Sequence, residues 1–372
     1  MQDTPYFPPP DNAPWASVEP EAAGFDRLQL ASVIAAVRKA ETSWPTDIRA
    51  YLEAGFFDLP PFNELIGPVA SRGPANGLLL RGGRIVAGWG DTRRVDMTFS
   101  VTKSYLSLLA GIAVTDGLVG DLDEPVGRTV RDGGFDGDHN KEITWRHLLQ
   151  QTSEWEGTLF GKSDQIDRNR IVGLDSLSAG KGDARPLRRP GTFWEYNDVR
   201  VNRLSLALLR RFGRPLPEVF AERIMRPIGA SASWHWEGYR NSFVEIDGRR
   251  VQSVSGGGHW GGGMFIHAED QARLGLLMLR SGGWDGEVIL PESWIEASVT
   301  PCPLNPLYGF MWWLNTRRGS FAGASPESIF GLGSGGNLTW IDPANDIVAV
   351  FRWTDTLAAN SFMAGVTAAL QQ

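Results

Sequence analysis

The chain has 372 residues, of which 42% are hydrophobic and 21% charged. This is the composition of a folded protein and excludes the disordered and collagen-like classes. A formal net charge of −7 and a pI near 5.4 leave no electrostatic footprint for nucleic acid, which needs clustered Lys and Arg.

The length suits one large or two intimate domains, because single cores stop growing efficiently near roughly 250–300 residues. The start, Met1 to Pro10, is polar and proline-rich. It has no apolar core of signal-peptide length, so a cytoplasmic protein is the expectation. Phe25 to Glu41 places Leu28, Ala31, Ile34, Ala35 and Val37 at near-helical spacing, with Asp26 as cap. Asn76 to Gly90 gives two apolar runs around Arg81-Gly82-Gly83-Arg84, a β-hairpin pattern. Phe99 to Asp116 is apolar on nearly all sides, which predicts a buried helix. Thr144 to Gln151 and Asn202 to Phe212 also have helical spacing. Between them, the run Arg185-Pro186-Leu187-Arg188-Arg189 reads as a solvated loop. Val251 to Ile266 reads as a strand, a glycine-rich turn and a strand, followed by a helix over Gln271 to Arg280. Leu338 to Trp353 is a further hairpin, and Asn360 to Leu370 a closing helix.

Strands at both ends and helices in the middle suggest an α/β (α+β) part interrupted by an inserted, mainly helical part. The expected division is residues 15–98 with 250–372 for the sheet domain and 99–249 for the helical one. The cleft between them is the natural site. The single cysteine, Cys302, permits no internal disulfide and no zinc pattern. No run of about 18 apolar residues marks a membrane span.

Ser100-Val101-Thr102-Lys103 sets a hydroxyl and an amine three residues apart, on one face of the buried helix. A serine hydroxyl is a poor nucleophile until a base takes its proton, and burial can make lysine that base by disfavouring its charged form. At the helix start, Ser100 also offers a backbone N–H to a developing oxyanion. The bland reading is an N-cap serine beside a surface lysine. Ser178-Ala179-Gly180-Lys181 repeats the spacing in a Gly- and Asp-rich stretch with nothing to bury its lysine, and reads as a chance match.

Five further segments decide between these readings. FSVTKSYLSLLAGIAVTDGLVGDLDEPV, ITWRHLLQQTSEWEG (143–157), PGTFWEYND (190–198), GGGMFIHAEDQARLGLLMLRSGG (261–283) and YGFMWW (308–313) resemble, in order, the conserved segments of the serine β-lactamase and penicillin-binding protein superfamily. The resemblance is to the branch of class C-type β-lactamases, D-alanyl peptidases, family VIII esterases and nylon-oligomer hydrolases. It implies the β-lactamase/transpeptidase-like fold, an antiparallel sheet flanked by helices with an inserted mainly helical domain, and a catalytic set of Ser100 as nucleophile, Lys103 sharing its proton, and Tyr196 relaying it to the leaving group. A phenol beside an ammonium suits that relay, although alone Tyr196 would read as a half-buried residue after a Pro-Gly turn.

Two departures matter. The third member of the family's Tyr-x-Asn triplet is Asp198, and a carboxylate facing Lys103 would favour the ammonium and shift base duty toward Tyr196. Asn197 would supply the amide if the register differed. The third motif falls on Phe330 to Gly336 (FGLGSGG) and has no Lys or His. The cation at this motif commonly binds a substrate carboxylate, so its absence argues against penicillins and D-alanyl peptides and favours an uncharged ester or amide. Backbone N–H groups of Gly333, Ser334 or Gly335 would complete the oxyanion hole with Ser100. Trp155, Trp194, Trp260, Trp312 and His259 are candidates for pocket walls, each weighed against an ordinary core role.

GGGHWGGG around His259 matches no nucleotide fingerprint, the histidines lack metal spacing, and no GxSxG elbow occurs. The expectation is therefore a cofactor-independent and metal-independent serine hydrolase acting on a small-molecule ester, with no nucleic-acid or membrane partner. An amide hydrolase, a β-lactamase or an acyl transferase are alternatives within the same chemistry. A non-catalytic sensor on the same fold is the alternative outside it.

Overall fold

Period-two burial builds the main sheet. Along Asn76–Arg81 and Ile347–Arg352, which pair antiparallel with Leu78 opposite Val350 and Leu80 opposite Val348, the side chains divide between two faces. Leu78, Leu80, Val348 and Val350 pack on Ala268 and Ala272 of helix Ala268–Leu279. Leu79, Ile347, Ala349 and Phe351 face the opposite layer, where helices Arg27–Val37 and Thr356–Ala368 contribute Leu30, Ile34, Phe362 and Met363. The structure, a computed structural model, describes residues 5–172 and 180–371. The six strands run in the order Trp313–Leu314, Ile329–Gly333, Asn337–Asp342, Ile347–Arg352, Asn76–Arg81 and Arg84–Trp89, each pair antiparallel.

A second sheet orders Asp96–Met97, Gly263–Ile266, His235–Ile246 and Arg249–Val254. The expected strands at Arg249–Val254 and Gly263–Ile266 are present, but they do not pair with each other. The twelve-residue strand His235–Ile246 lies between them and bonds to both. Its register shift between Gly238 and Phe243 breaks the alternation that sequence periodicity detects.

Helix Val101–Thr115 is buried at every position from Val101 to Ala113, as its all-round apolar sequence requires. It packs with Trp145–Leu149 and Asp198–Phe212 in the largest apolar cluster, through Leu106, Leu109, Leu148, Leu204 and Leu208. Thr144 caps Trp145–Leu149 in a capping box with His147. Helix Asp198–Phe212 begins a turn earlier than its apolar spacing suggests, capped by Asn197.

Arg352 ties these layers together. It is 1% exposed and donates to Asn337 Oδ1, Gln271 Oε1 and the carbonyls of Ile266 and Met97. The main sheet, the covering helix and the second sheet thus meet on one guanidinium, which reaches the chain at Met97, three residues before Ser100. Replacing Arg352 by Met strands these buried acceptors, each costing about 1–3 kcal/mol when unmet. Urea unfolding of R352M is expected to lose at least ~3 kcal/mol of stability. A loss below ~1 kcal/mol would contradict the bridging role.

Candidate active site

Ser100 lies at the N-cap position of helix Val101–Thr115. It follows Phe99, which is buried with φ +50°. A left-handed aromatic residue costs free energy that the surrounding packing must offset, and such strain is common beside reacting groups. Gly257 makes this turn possible: its φ is +77°, and a Cβ there would lie 2.0 Å from the Phe99 carbonyl oxygen. On the other side the strand end Gly333 closes in, where a Cβ would lie 2.0 Å from the Thr98 carbonyl oxygen. Glycine at both positions lets two backbone segments flank the hydroxyl.

Lys103 Nζ donates to Ser100 Oγ at 2.7 Å and to the Gly256 carbonyl at 3.3 Å. It stands 2.7 Å from Asp198 Oδ1, with only 1% of the lysine side chain exposed. Asp198 therefore turns inward, while Asn197 is spent elsewhere. The Asn197 Oδ1 accepts the N–H groups of Val199 and Arg200, and its Nδ2 donates to the Asp164 carbonyl. The Tyr196 ring centre lies 5.1 Å from Lys103 Nζ and 5.3 Å from the Arg170 guanidinium carbon, so an amine and a guanidinium face it.

Asp198 is also the end of a larger buried set that sequence reasoning missed. Its Oδ2 accepts Arg170 at 3.0 Å and lies 3.0 Å from His259 Nδ1. His259 Nε2 is 2.7 Å from Asp58 Oδ2. Lys181 pairs with Asp58 and, at 3.2 Å, with Asp167, and Asp167 Oδ2 accepts the Asp198 backbone N–H. Burial alone would raise the Asp198 carboxyl, but Lys103, Arg170 and His259 hold it well below the usual carboxylate range. Burial pushes the His259 ring down, yet Asp58, Asp167 and Asp198 leave it above the ordinary imidazole value. Lys181, expected to be solvated, is instead 4% exposed in its side chain. Its sequence partner Ser178 lies outside the described residues.

A second buried set pins the backbone around Tyr196. Arg200, 2% exposed in its side chain, pairs with Glu154, Glu195 and Asp164. Arg185, expected in a solvated loop, closes on Glu154 and Glu195 at 2.7 Å each. Gln151 completes the clamp: its carbonyl accepts Glu195 N–H, and its Oε1 accepts Asn197 N–H.

A cavity of about 410 Å³ opens over Ser100. Its walls include Tyr196, Trp313, Phe57, Leu332, Gly333 and Ser334. Gly335 is off this wall, and a Cβ there would meet the Trp353 and Trp44 rings. Several expected wall residues are corrected here. Trp155 and Trp260 are core, their indole N–H groups bonded to the carbonyls of Gly134 and Phe62. His259 and Asp198 are buried behind the cavity. Trp194 packs against Tyr308 and Trp313 from outside. Trp312 is 1% exposed, while its neighbour Trp313 takes the wall and packs against Tyr196 in a tilted pair at 5.7 Å between ring centres. Adjacent side chains of an extended segment point opposite ways, so only one of the pair can face the cavity.

Among the described residues two groups have metal-like donor spacing, Asp167-Asp198-His259 and Asp11-His267-Asp270. In the first, Arg170, Lys181 and Lys103 already occupy the carboxylates. In the second, Asp11 is held by Arg93 and Asp270 approached by Arg273. Both therefore read as ion-pair clusters.

The family model described as Beta-lactamase matches residues 78–369. The 6-aminohexanoate-dimer hydrolase of Paenarthrobacter ureafaciens is 22% identical, over 92% of this chain and 88% of that protein. A putative β-lactamase from Bacteroides dorei superposes with a TM-score of 0.61 at 16% identity, covering 94% of this chain and 100% of that one. A family VIII carboxylesterase superposes with a TM-score of 0.58 at 15% identity, covering 92% and 98%. Among the described residues no helix is long and apolar enough to cross a membrane.

The clamp around Tyr196 carries a pH signature. Burial raises the Glu154 carboxyl, but Arg185 and Arg200 bring it to about 2. A folded value below the unfolded one contributes stability above about pH 4.5 that is lost as pH falls toward the folded value. E154Q is expected to unfold at lower urea than wild type at pH 7, with the gap narrowing between about pH 4.5 and pH 3. A gap that stays constant across this range would contradict the ion-pair assignment.

Proposed function

Since the chain belongs to the β-lactamase family of serine hydrolases, we propose that Ser100 is its nucleophile and that a small, uncharged carboxylic ester is its substrate. The observation that carries the reading is the 2.7 Å contact between Ser100 Oγ and the buried Lys103 at the floor of the cavity. Ser100 Oγ attacks the carbonyl carbon while its proton passes to Lys103. The carbonyl oxygen becomes an oxyanion held by the Ser100 N–H and by a strand-edge N–H at Gly333 or Ser334. Tyr196, whose ring faces Lys103, relays the proton to the departing alkoxide, and the alcohol leaves. Water then attacks the acyl-enzyme with the same groups in reversed roles, releasing the acid and restoring Ser100.

The cavity wall supports an uncharged substrate. Gly333 and Ser334 stand where a cation would recognise a carboxylate. Among the described lining residues the charged ones are Arg170 and Asp355, and Arg170 is already bonded to Asp198. Phe57, Leu332, Trp313 and Phe321 offer apolar surface for the acyl chain. An amide is the second reading, favoured by the relative named for hydrolysing a 6-aminohexanoate dimer.

Initial rates with p-nitrophenyl butyrate, butyryl p-nitroanilide and nitrocefin rank these options. The ester is expected to turn over at least about tenfold faster than the others, with S100A inactive and Y196F reduced by about 10²–10⁴ in kcat, the usual worth of a positioned acid–base group. Fastest turnover of nitrocefin would contradict the carboxylate-free reading, and retained activity in S100A would sink the mechanism.

A further inference from the structure

A carboxylate 2.7 Å from Lys103 opposes the role just given to that lysine, because it favours the ammonium over the free amine. The buried set behind Asp198 bears on this conflict. Four cationic groups, Lys103, Arg170, Lys181 and His259, face three carboxylates, Asp58, Asp167 and Asp198. An uncompensated charge is costly at this depth, so one of the four is expected to give up its proton.

Geometry selects which one. Arg170 remains protonated at any accessible pH. Lys181 lies between two carboxylates, Asp58 and Asp167. His259 presents Nδ1 to Asp198 Oδ2 at 3.0 Å and Nε2 to Asp58 Oδ2 at 2.7 Å. A ring nitrogen carrying a lone pair would repel an anionic oxygen at either distance, so both nitrogens bear hydrogen and the ring is an imidazolium. Lys103 has one carboxylate oxygen, one carbonyl and the Ser100 hydroxyl. Its single carboxylate partner, Asp198, also serves Arg170 and His259 through Oδ2, whereas Lys181 and His259 each lie against more than one carboxylate.

We infer that His259 is a positioning residue for the reaction: its positive charge, placed between Asp58 and Asp198, releases Lys103 to act as a neutral amine toward Ser100. This rests on Ser100 and Lys103 being the nucleophile and base. His259 touches neither the cavity nor Ser100 and acts through Asp198. The groups facing its ring come from three segments: Asp58 from the loop before Asn63, Asp167 from the turn Asp164–Asp167, and Asp198 from the start of its helix. Phe57 and Trp260 cover the ring at 5.1 and 4.1 Å. Beyond Trp260, Lys162 bonds to the carbonyls of Phe62 and Glu64 and senses Asp58 only through a longer-range charge interaction.

The test is the pH dependence of Ser100 labelling by a neutral fluorophosphonate, followed by intact-protein mass spectrometry from pH 5 to 10. Removing the imidazolium in H259Q leaves three cations against three carboxylates and holds Lys103 as ammonium. The acid limb of the labelling rate is expected to move up by about one pH unit or more, with rates recovering at high pH. D198N removes the opposing carboxylate, and its limb is expected to move down. Lower rates at every pH in H259Q, with the limb unmoved, would mean that His259 only fills space and would overturn the proposal. Because H259Q can fail by misfolding, wild-type protein labelled with ¹⁵N-histidine gives an independent reading: His259 is expected to keep both nitrogens protonated to pH 8, and a neutral ring at pH 7 would overturn the proposal. Absence of any wild-type labelling at Ser100 would instead remove the nucleophile assignment, a result distinct from labelling whose limb does not shift.

Discussion

The contact between Lys103 and Ser100 is possible because a long, ionisable side chain is kept buried. Lysine is rarely buried unless paired. Here Asp198 provides the pairing, and the helix Val101–Thr115 is apolar enough to bring the amine inside. That arrangement has a cost, because a buried charge needs its own partners. Asp198 is met by Arg170 and His259, His259 by Asp58, and Asp58 by Lys181. The extended ion network thus follows from placing one amine beside one hydroxyl.

The scaffold meets the same demand for precision at the backbone. Arg352 joins both sheets and helix Ala268–Leu279 close to the turn that carries Ser100. Gly257 and Gly333 allow carbonyls to approach within distances that a Cβ would forbid. On the opposite wall, Arg185 and Arg200 lock Glu154 and Glu195, and so hold the residue that precedes Tyr196. Ser100, Lys103 and Tyr196 come from two chain regions about a hundred residues apart. Buried charge fixes the second, and a strained turn fixes the first.

Much of this was legible in the sequence where a local pattern existed. Helix Val101–Thr115, the hairpin at residues 76–89 and the hairpin at 337–352 follow directly from apolar periodicity. The family-like segments pointed to Ser100, Lys103 and Tyr196, and the chain does belong to the β-lactamase family. What escaped had no period to detect. Strand His235–Ile246 is interrupted by a bulge. Asp58, Asp167, Lys181 and His259 lie in separate loops, and only tertiary structure brings them together. The choices of Trp313 over Trp312 and Asp198 over Asn197 each turn on which way one of two adjacent side chains points, which motif spacing leaves undecided.

The low identities to the 6-aminohexanoate-dimer hydrolase and to the family VIII carboxylesterase, 22% and 15%, bring the fold to this chain and leave substrate choice to its own cavity. The central claim is that Ser100 carries an acyl group during turnover. Its most direct test is acid quenching of the protein milliseconds after mixing with p-nitrophenyl butyrate, followed by peptide mapping by mass spectrometry. A butyryl mass on the peptide containing Ser100, formed in step with a burst of p-nitrophenol, is the predicted result. Turnover with no acyl mass on that peptide, or with the mass on another residue, would contradict it.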